Sequence, residues 1–252
     1  SIVGENNYID DVLKMDSYLI DWRNEYKGLS PLILKPLNTQ MISEILALCN
    51  KYHIGIVPQG GNTGLVGGSI PSNSGREVVL SLEKMNKILD IDSINFTMTL
   101  EAGCILSEVQ DTALNHERIF PLSLAAEGSC QIGGNISTNA GGVNVLKYGM
   151  ARDQVMGIEV VLPDGSIFSD LKSLRKNNTG YDLKQLFIGA EGTLGVITKV
   201  SLKLSSSPIN EITSMVSLNN IDDAIALLKE SKKKFGDNIT AFEFISRSCL
   251  VA

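Results

Sequence analysis

The chain has 252 residues, 43% of them hydrophobic, so it is long enough to bury a sizeable core in one large domain or two lobes. Its net charge of −6 argues against nucleic acid as a partner, because phosphate backbones are bound by basic surfaces. No stretch approaches the ~20 apolar residues of a membrane span, and no charged-then-apolar signal peptide opens the chain.

The first part of the chain predicts a lead-in followed by a β-α-β unit. Residues 1–29 are polar and are expected to form a helix and loops. A short apolar strand at residues 32–34 precedes an amphipathic helix that Thr39 can cap. A second strand starts at Gly55, and the helical crossover between the two strands predicts that they run parallel.

The middle of the chain predicts a larger, mixed sheet. Residues 87–91 and 96–102 alternate in a way that suits an antiparallel pair, and residues 105–116 predict a helix. Further strands are predicted at residues 77–82, 157–162, 167–168 and 195–204. The pattern indicates a small parallel lobe, residues 30–85, and a larger mixed or antiparallel lobe, residues 86–207. A ligand would lie in the crevice between them.

The segment from Pro208 onward has a different pattern. Residues 212–218 predict a strand, residues 220–235 a helix with acidic residues first and lysines last, and residues 239–245 another strand. A two-stranded piece cannot cover its own faces. We therefore expect residues 208–252 to be the incomplete start of a second domain.

The cysteines and histidines give little sign of a metal centre. The four cysteines contain no CxxC pair, and His53 and His116 lie on predicted helix ends, far apart. We expect Cys49, Cys104, Cys130 and Cys249 to be small buried hydrophobes in a reducing compartment. For Cys130, which stands among glycine-rich segments, a reactive thiol is the alternative.

Three glycine-rich segments are separated along the chain. The first, VPQGGNTGLVGG at residues 57–68, can turn successive N–H groups inward and form a nest suited to a pyrophosphate. Taken alone, it is equally compatible with a mobile surface loop or a tight strand connection. The second is IGGNISTNAGG at residues 132–142, and the third is FIGAEGTLGVIT at residues 187–198. One long ligand touching all three is a simpler interpretation than three unrelated loops.

Together these segments resemble the flavin domain of the vanillyl-alcohol oxidase superfamily, the PCMH-type FAD-binding fold. The block SLRKNNTGYDLKQLF at residues 173–187 is similar to the D-2-hydroxyacid dehydrogenases, especially the D-2-hydroxyglutarate dehydrogenase branch. D-lactate dehydrogenases and the glycolate oxidase flavin subunit are close relatives in this resemblance. It covers residues 15–250 and implies an α+β fold of two lobes with FAD between them.

The resemblance also implies which residues bind FAD. The diphosphate would lie on the first segment, and the flavin ring and ribityl chain against residues 121–123 and 128–135. Residues 138–141 would continue along the diphosphate and ribityl side, and the third segment would meet the adenosine. The implied residues are Pro58, Gln59, Gly60, Gly61, Asn62, Thr63, Gly64, Pro121, Leu122, Gly128, Ser129, Ile132, Gly133, Gly134, Asn135, Thr138, Asn139, Ala140, Gly141, Glu191, Gly195, Val196 and Ile197.

Single positions refine this expectation. In relatives with covalent flavin, a histidine matches Asn62, and an amide is not a nucleophile, so the resemblance implies non-covalent FAD. The side chains of Asn62 and Thr63 are expected to add donors to the diphosphate. Glu191 has the alternative interpretation of a turn-stabilising carboxylate. Arg152 is a candidate ion-pair partner of Asp153, and Tyr148 a candidate for stacking near the flavin, with packing as the alternative for both.

The implied activity is oxidation of a D-2-hydroxy acid, of the D-2-hydroxyglutarate or D-lactate class, to the 2-oxo acid. The electron acceptor would be a quinone, a cytochrome or an electron-transferring flavoprotein. In the family, the substrate groups, including a histidine-held divalent metal, come from a C-terminal domain. We therefore expect no catalytic residue in this chain and no turnover by it alone. The implied location is cytoplasmic, with peripheral contact at the inner membrane through the acceptor as a variant.

Two other functions stay open at this point. One is a catalytically silent flavin-binding subunit or module, although its pyrophosphate loop would be expected to be weakened, whereas residues 58–68 are intact. The other is a reductase of a different type on the same flavin fold, such as the UDP-N-acetylenolpyruvoylglucosamine reductases.

Overall fold

The computed structural model describes residues 2–250, so Ser1, Val251 and Ala252 lie outside it. The strands are β1 (Tyr8–Ile9), β2 (Ile33–Leu34), β3 (Gly55–Gln59), β4 (Glu77–Ser81), β5 (Ile88–Asp92), β6 (Thr97–Glu101), β7 (Arg118–Ile119), β8 (Val155–Val161), β9 (Ile167–Asp170), β10 (Val196–Lys203) and β11 (Ser205–Ser206). The helices are α1 (Asp16–Leu19), α2 (Thr39–Lys51), α3 (Leu106–Asn115), α4 (Ile132–Ser137), α5 (Val145–Tyr148), α6 (Ala151–Gln154), α7 (Lys184–Phe187), α8 (Ile221–Phe235) and α9 (Arg247–Leu250).

The small sheet has the strand order β1-β2-β4-β3. Strands β2 and β3 both run parallel to β4, which confirms the predicted parallel direction, but β4 lies between them. The predicted cap of α2 is wrong: the Asn38 side chain, and not that of Thr39, accepts the Met41 N–H at 2.9 Å. Strand β1 adds an antiparallel edge strand from the lead-in, which the polar sequence there did not predict.

The large sheet has the order β5-β6-β10-β8-β9, with all neighbours antiparallel. The predicted antiparallel pair of β5 and β6 is confirmed. The largest buried cluster contains Ile42 and Leu80 from the small lobe together with Leu100, Val160 and Val200 from the large sheet. The two lobes therefore share one hydrophobic core.

The segment after residue 207 matches the prediction only in its helix. Helix α8 is capped by the Asn220 side chain, which accepts the Asp223 N–H at 2.9 Å. The predicted strands at residues 212–218 and 239–245 are wrong, since neither forms a ladder. The reason is physical: strand residues need a paired neighbour, and residues 2–250 offer none there. Over the same described part of the chain, no helix is long and apolar enough to cross a bilayer.

Candidate cofactor-binding site

The first two glycine-rich segments lie against each other. Strand β3 ends at Gln59 and leads directly into the loop at residues 60–64. A Cβ on Gly61 would lie 1.9 Å from the Ser129 carbonyl oxygen, and a Cβ on Gly60 would lie 3.4 Å from that of Gln131. Gly61 is therefore required by a backbone contact that a side chain would prevent.

The third segment completes the cluster. The Gly189 N–H donates to the Ile136 carbonyl at 3.1 Å, and the Glu191 N–H donates to the Ser137 carbonyl at 2.8 Å, both at the end of α4. A Cβ on Gly192 would lie 3.1 Å from a ring carbon of Pro58. Tertiary contacts thus bring all three segments to one place, although long stretches of chain separate them.

The cluster contains backbone donors without a protein acceptor, and it has open space beside two of its glycines. Among the residues described, the N–H groups of residues 60–64 and of Gly134 donate to no protein acceptor. A Cβ on Gly64 or on Gly134 would meet no heavy atom within 4 Å. Unpaired N–H groups that face an open concavity suit a ligand with several adjacent acceptor oxygens.

The side chains of Gln59 and Asn62 face the lead-in and not the open side of the loop. The Asn62 amide donates to the Ile20 carbonyl at 2.8 Å and accepts the Ser69 hydroxyl at 2.8 Å. The Gln59 amide donates to the Tyr18 carbonyl at 2.9 Å. The left-handed backbone of Asn62, with φ of 53°, accompanies this orientation. The expected side-chain donor at Asn62 is thus engaged within the protein, and its backbone N–H stays free.

The lead-in is itself held firmly. The Tyr18 hydroxyl donates to Glu83 at 2.9 Å, and the Lys35 ammonium lies 2.9 Å from the other oxygen of the same carboxylate. Burial opposes the charge on Glu83, but the hydrogen bonds from Lys35 and Tyr18 outweigh it and lower the pKa of that carboxyl. Met15 and Leu19 are buried nearby. Sequence reasoning missed this support because the lead-in acts through backbone carbonyls, which carry no residue signature.

Several residues of the second segment pack into the core. Ile132 and Leu122 are buried, and Pro121 is buried beside them. A Cβ on Gly133 would lie 2.8 Å from that of Ala102, so this glycine seats α4 on the end of β6. Gly128 and Ser129 are exposed at the rim. The side chains of Ile132 and Leu122 therefore pack in the core and present almost no surface to a ligand.

The three buried cysteines are not poised for chemistry. Cys49, Cys104 and Cys130 are buried and unbridged, as expected, but Cys249 is exposed, so the expectation for that residue is wrong. Burial raises the pKa of the Cys130 thiol, which the Asn135 amide contacts at 3.5 Å. A protonated, buried thiol is a packing residue and not a nucleophile.

Arg152 links the second and third segments. Its guanidinium donates to the Gln185 carbonyl at 3.0 Å and also to the Ile188 carbonyl. Its backbone N–H donates to the Asn139 side chain at 3.0 Å. The expected ion pair with Asp153 is wrong, because that carboxylate accepts the Met150 N–H at 2.8 Å and forms no salt bridge within residues 2–250. Arg152 is consequently a clamp between carbonyl groups.

The remaining residues of this region lie around that clamp. The Thr138 hydroxyl donates back to the Gly134 carbonyl at 3.0 Å, and the Ala140 carbonyl accepts the Ala151 N–H at 2.9 Å. A Cβ on Gly141 would lie 2.7 Å from the Met150 sulfur. These contacts order the segment after α4, and none of them involves a charged side chain.

A cavity of about 240 Å³ opens beside the third segment, between α2 and the start of β10. It is lined by Leu46, Cys49, Asn50, Ile54, Ile56, Pro58, Pro163, Gly192, Thr193, Gly195 and Val196. The contribution of α2 was missed, because its apolar residues carry the same pattern as any core-facing helix. Glu191 is exposed in a left-handed turn with φ of 53°.

A second cavity lies away from the glycine-rich segments, and the described residues hold no cluster of metal-binding side chains. A wider opening of about 450 Å³ lies at the far end of β10, beside Phe96 and Arg175, away from the glycine-rich segments. No group of three or more His, Cys, Asp or Glu side chains in the described part of the chain is placed to hold a metal ion.

Comparison with curated proteins agrees with this geometry. The chain is 44% identical over 250 residues to a probable mitochondrial D-2-hydroxyglutarate dehydrogenase of Oryza sativa subsp. indica, covering 99% of this chain and 44% of that protein. It is 44% identical over 237 residues to a D-2-hydroxyglutarate–pyruvate transhydrogenase of Saccharomyces cerevisiae, covering 94% and 47%. The chain thus spans less than half the length of these relatives.

Solved structures share the fold of this chain, and a family model identifies the domain. An alkyldihydroxyacetonephosphate synthase superposes with a TM-score of 0.71 at 24% identity, covering 81% of this chain and 39% of that one. A glucose oxidase, a variant of Phl p 4, superposes with a TM-score of 0.69 at 18% identity, covering 82% and 42%. These likenesses concern the fold alone. The model of the family described as an FAD binding domain matches residues 30–170. The chain therefore belongs to the family of PCMH-type FAD-binding domains.

Proposed function

We propose that this chain is the FAD-binding part of a flavin-dependent oxidoreductase that converts a D-2-hydroxy acid to the 2-oxo acid. The names of the relatives support a substrate of the D-2-hydroxyglutarate or D-lactate class. Since the chain spans less than half of those proteins, the activity is proposed for the whole protein and not for this part alone.

The observation that carries the proposal is the set of free N–H groups at residues 60–64 and Gly134. A diphosphate has only acceptor oxygens, so this donor set fits it. Gly64 and Gly134 leave space that side chains would fill. The bound FAD would supply the hydride-accepting chemistry, while the chain binds and orients it.

The proposed contacts follow the three segments. The loop at 58–64 would hold the diphosphate, mainly through backbone N–H groups. Residues 121–135 would lie along the flavin ring and ribityl chain, and residues 138–141 would continue along the diphosphate and ribityl side. Residues 191–197 would meet the adenosine beside the 240 Å³ cavity. The burial of Ile132 and Leu122 supports a backbone or packing role for both.

We further propose that FAD is bound without a covalent link. The Asn62 amide makes three hydrogen bonds within the protein and is not a nucleophile. Neither histidine stands in a glycine-rich segment, and the His116 ring lies 2.9 Å from the Thr112 carbonyl at the end of α3. No residue at the loop is therefore suited to attack the flavin methyl group.

The partners are part of the same proposal. They are the D-2-hydroxy acid and an electron acceptor, which would be a quinone, a cytochrome or an electron-transferring flavoprotein. A divalent metal, if the whole protein uses one, would be held outside this chain. We propose a cytoplasmic location, with peripheral contact at the inner membrane through the acceptor. Because the names of several relatives place them in mitochondria, fractionation should test that compartment too.

The test is an absorbance scan of the purified chain after incubation with FAD and desalting. We expect a flavin spectrum that acid precipitation releases into the supernatant, and no bleaching when D-2-hydroxyglutarate or D-lactate is added. Colour that stays with the precipitate would contradict the non-covalent assignment. Absence of binding would contradict the FAD site. Bleaching by a hydroxy acid would contradict the dependence on the rest of the protein.

A further inference from the structure

The larger cavity lies at the far end of the large sheet, where strand β10 ends and the hairpin between β5 and β6 turns. Its volume is about 450 Å³. We call it the distal cavity, and it is lined by Ile94, Asn95, Phe96, Arg175, Lys203, Leu204, Ser205 and Ser206. None of these residues belongs to the three glycine-rich segments, so the distal cavity is separate from the candidate cofactor site.

The charged side chains that line the distal cavity are all cationic. They are Arg175 and Lys203, both of them exposed. Neither forms an ion pair with any residue from 2 to 250. The chain as a whole carries a net charge of −6, so two unneutralised cations around one cavity run against the average charge of the protein. Like charges repel each other, and a bound anion would offset that repulsion.

An aromatic ring holds two arginines at this place. The Arg175 guanidinium carbon lies 5.3 Å from the centre of the Phe96 ring, and that of Arg118 lies 4.1 Å from the same centre. The Arg118 guanidinium also donates to the Ser93 carbonyl at 2.9 Å and to the Glu117 carbonyl at 2.7 Å, which fixes its position. Contact with a ring uses none of the five N–H donors of Arg175, so they stay available to a ligand.

The acidic side chain of the same hairpin is engaged within the loop. Asp92 accepts the N–H groups of Ile94 and Asn95, each at 2.9 Å, and the Asn95 side-chain amide at 2.6 Å. The hydrogen bonds from Asn95 lower the pKa of the Asp92 carboxyl. Asp92 does not line the distal cavity. It therefore orders the loop that carries Phe96 and leaves the two lining cations without an acidic partner.

The lining combines hydrogen-bond donors with apolar surface. The hydroxyls of Ser205 and Ser206 add two donors to the guanidinium and the ammonium. A phosphate monoester accepts through three terminal oxygens and carries close to two negative charges, whereas a carboxylate has two oxygens and one charge. Ile94 and Phe96 offer apolar surface to the rest of such a molecule. The volume also falls within the range of pockets that hold small organic ligands, about 300–1,000 Å³.

We propose that the distal cavity is a second binding site of this chain and that its ligand is a small organic phosphate. The phosphate contacts Arg175 and Lys203, and the apolar part lies on Ile94 and Phe96. The donors differ from those of the candidate cofactor site, where backbone N–H groups face the ligand. The proposal goes beyond the proposed flavin function and does not rest on it.

The test is a calorimetric titration of the chain with phenyl phosphate at neutral pH, with and without excess FAD. With FAD in excess, we expect phenyl phosphate to bind, because the cofactor occupies a different site. Inorganic phosphate lacks the apolar part, so it should bind about tenfold more weakly. Phenol lacks the charge and should not bind.

Two variants locate the binding. Arg175→Gln and Lys203→Gln each keep a polar side chain and remove one charge. With FAD in excess, we expect the affinity for phenyl phosphate to fall about tenfold in Arg175→Gln and about threefold in Lys203→Gln, since arginine offers a fork of donors and lysine a point charge. Both side chains are exposed, so the melting temperatures should match that of the wild type.

The matched control is Lys176→Gln. It removes the same charge from the residue next to Arg175, which is exposed and does not line the distal cavity. We expect its affinity for phenyl phosphate to stay within about twofold of the wild type, because an exposed charge outside the site is screened by salt.

Four results would overturn the proposal. They are no binding of phenyl phosphate, binding that excess FAD abolishes, equal affinities for phenyl phosphate and inorganic phosphate, and an effect of Arg175→Gln no larger than that of Lys176→Gln. A chain that fails to bind FAD, but binds phenyl phosphate through Arg175 and Lys203, would contradict the proposed function alone.

Discussion

At the scale of single residues, the glycines of the site fall into two physical classes. Gly61 has no room for a side chain, since a Cβ would lie 1.9 Å from the Ser129 carbonyl oxygen. A Cβ on Gly134, by contrast, would meet no protein atom within 4 Å. Sequence reasoning marked both as ligand-contacting glycines, but only the folded chain separates the one that permits a backbone contact from the one that leaves room.

The two classes predict opposite results for substitution by alanine. Gly61→Ala forces two backbone segments apart. We therefore expect the free energy of unfolding to fall by about 1–3 kcal/mol and the FAD affinity to fall as well. Gly134→Ala should leave the FAD-free protein as stable or more stable, because alanine favours the helix, while its methyl group occupies ligand space. Thermal unfolding without FAD and titration with FAD measure the two effects separately. Unchanged FAD affinity in Gly134→Ala would contradict the assigned position of the diphosphate.

At the scale of elements, the lead-in is part of the candidate site and not a separate extension. The family model starts at residue 30, yet carbonyls of Ser17, Tyr18 and Ile20 accept the amides of Gln59 and Asn62. The lead-in residues that accept these hydrogen bonds carry no sequence motif. The predicted helices and glycine loops were found, whereas the anchoring of the loop depends on partners about forty residues away.

This anchoring predicts a local effect of Gln59→Met. The change keeps volume but leaves the Tyr18 and Ser69 carbonyls without their donor, so we expect a stability loss of about 1–3 kcal/mol. Proteolytic cleavage should accelerate at residues 60–68 and stay unchanged in β6 and β10. Gln40→Met, on the exposed side of α2, is the control. An unchanged rate of cleavage in the loop of the variant would show that the lead-in does not support it.

At the scale of the whole molecule, Glu159 joins the two lobes. Its Oε1 accepts the Thr39 hydroxyl from α2 at 2.6 Å and the Thr198 hydroxyl from β10 at 2.9 Å, and it lies 3.0 Å from the Lys199 ammonium. Burial opposes ionisation of Glu159, but these hydrogen bonds outweigh it and lower the pKa of the carboxyl. The charge therefore stabilises the folded state.

The sign of this shift predicts the pH dependence. The pKa of an unfolded Glu carboxyl is about 4.3, and that of Glu159 in the folded state is lower. Such a carboxyl stabilises the folded state fully at pH values above the unfolded pKa, and this contribution is lost as the pH falls through the folded pKa. We expect Glu159→Gln to lower the free energy of unfolding by about 1–2 kcal/mol at pH 7, and we expect this difference from the wild type to shrink in acid. Denaturant unfolding at several pH values measures this, with the exposed Glu230→Gln as the control. A difference that stays constant with pH would contradict the charged role.

The sequence by itself determined the family, the two-lobed fold and the three glycine-rich segments, because strand alternation, helical periodicity and glycine content are local patterns. It did not determine that β4 lies between β2 and β3, that the Asn62 side chain faces the lead-in, or that α2 lines a cavity. Only the tertiary structure decided these features, since each depends on which distant groups meet.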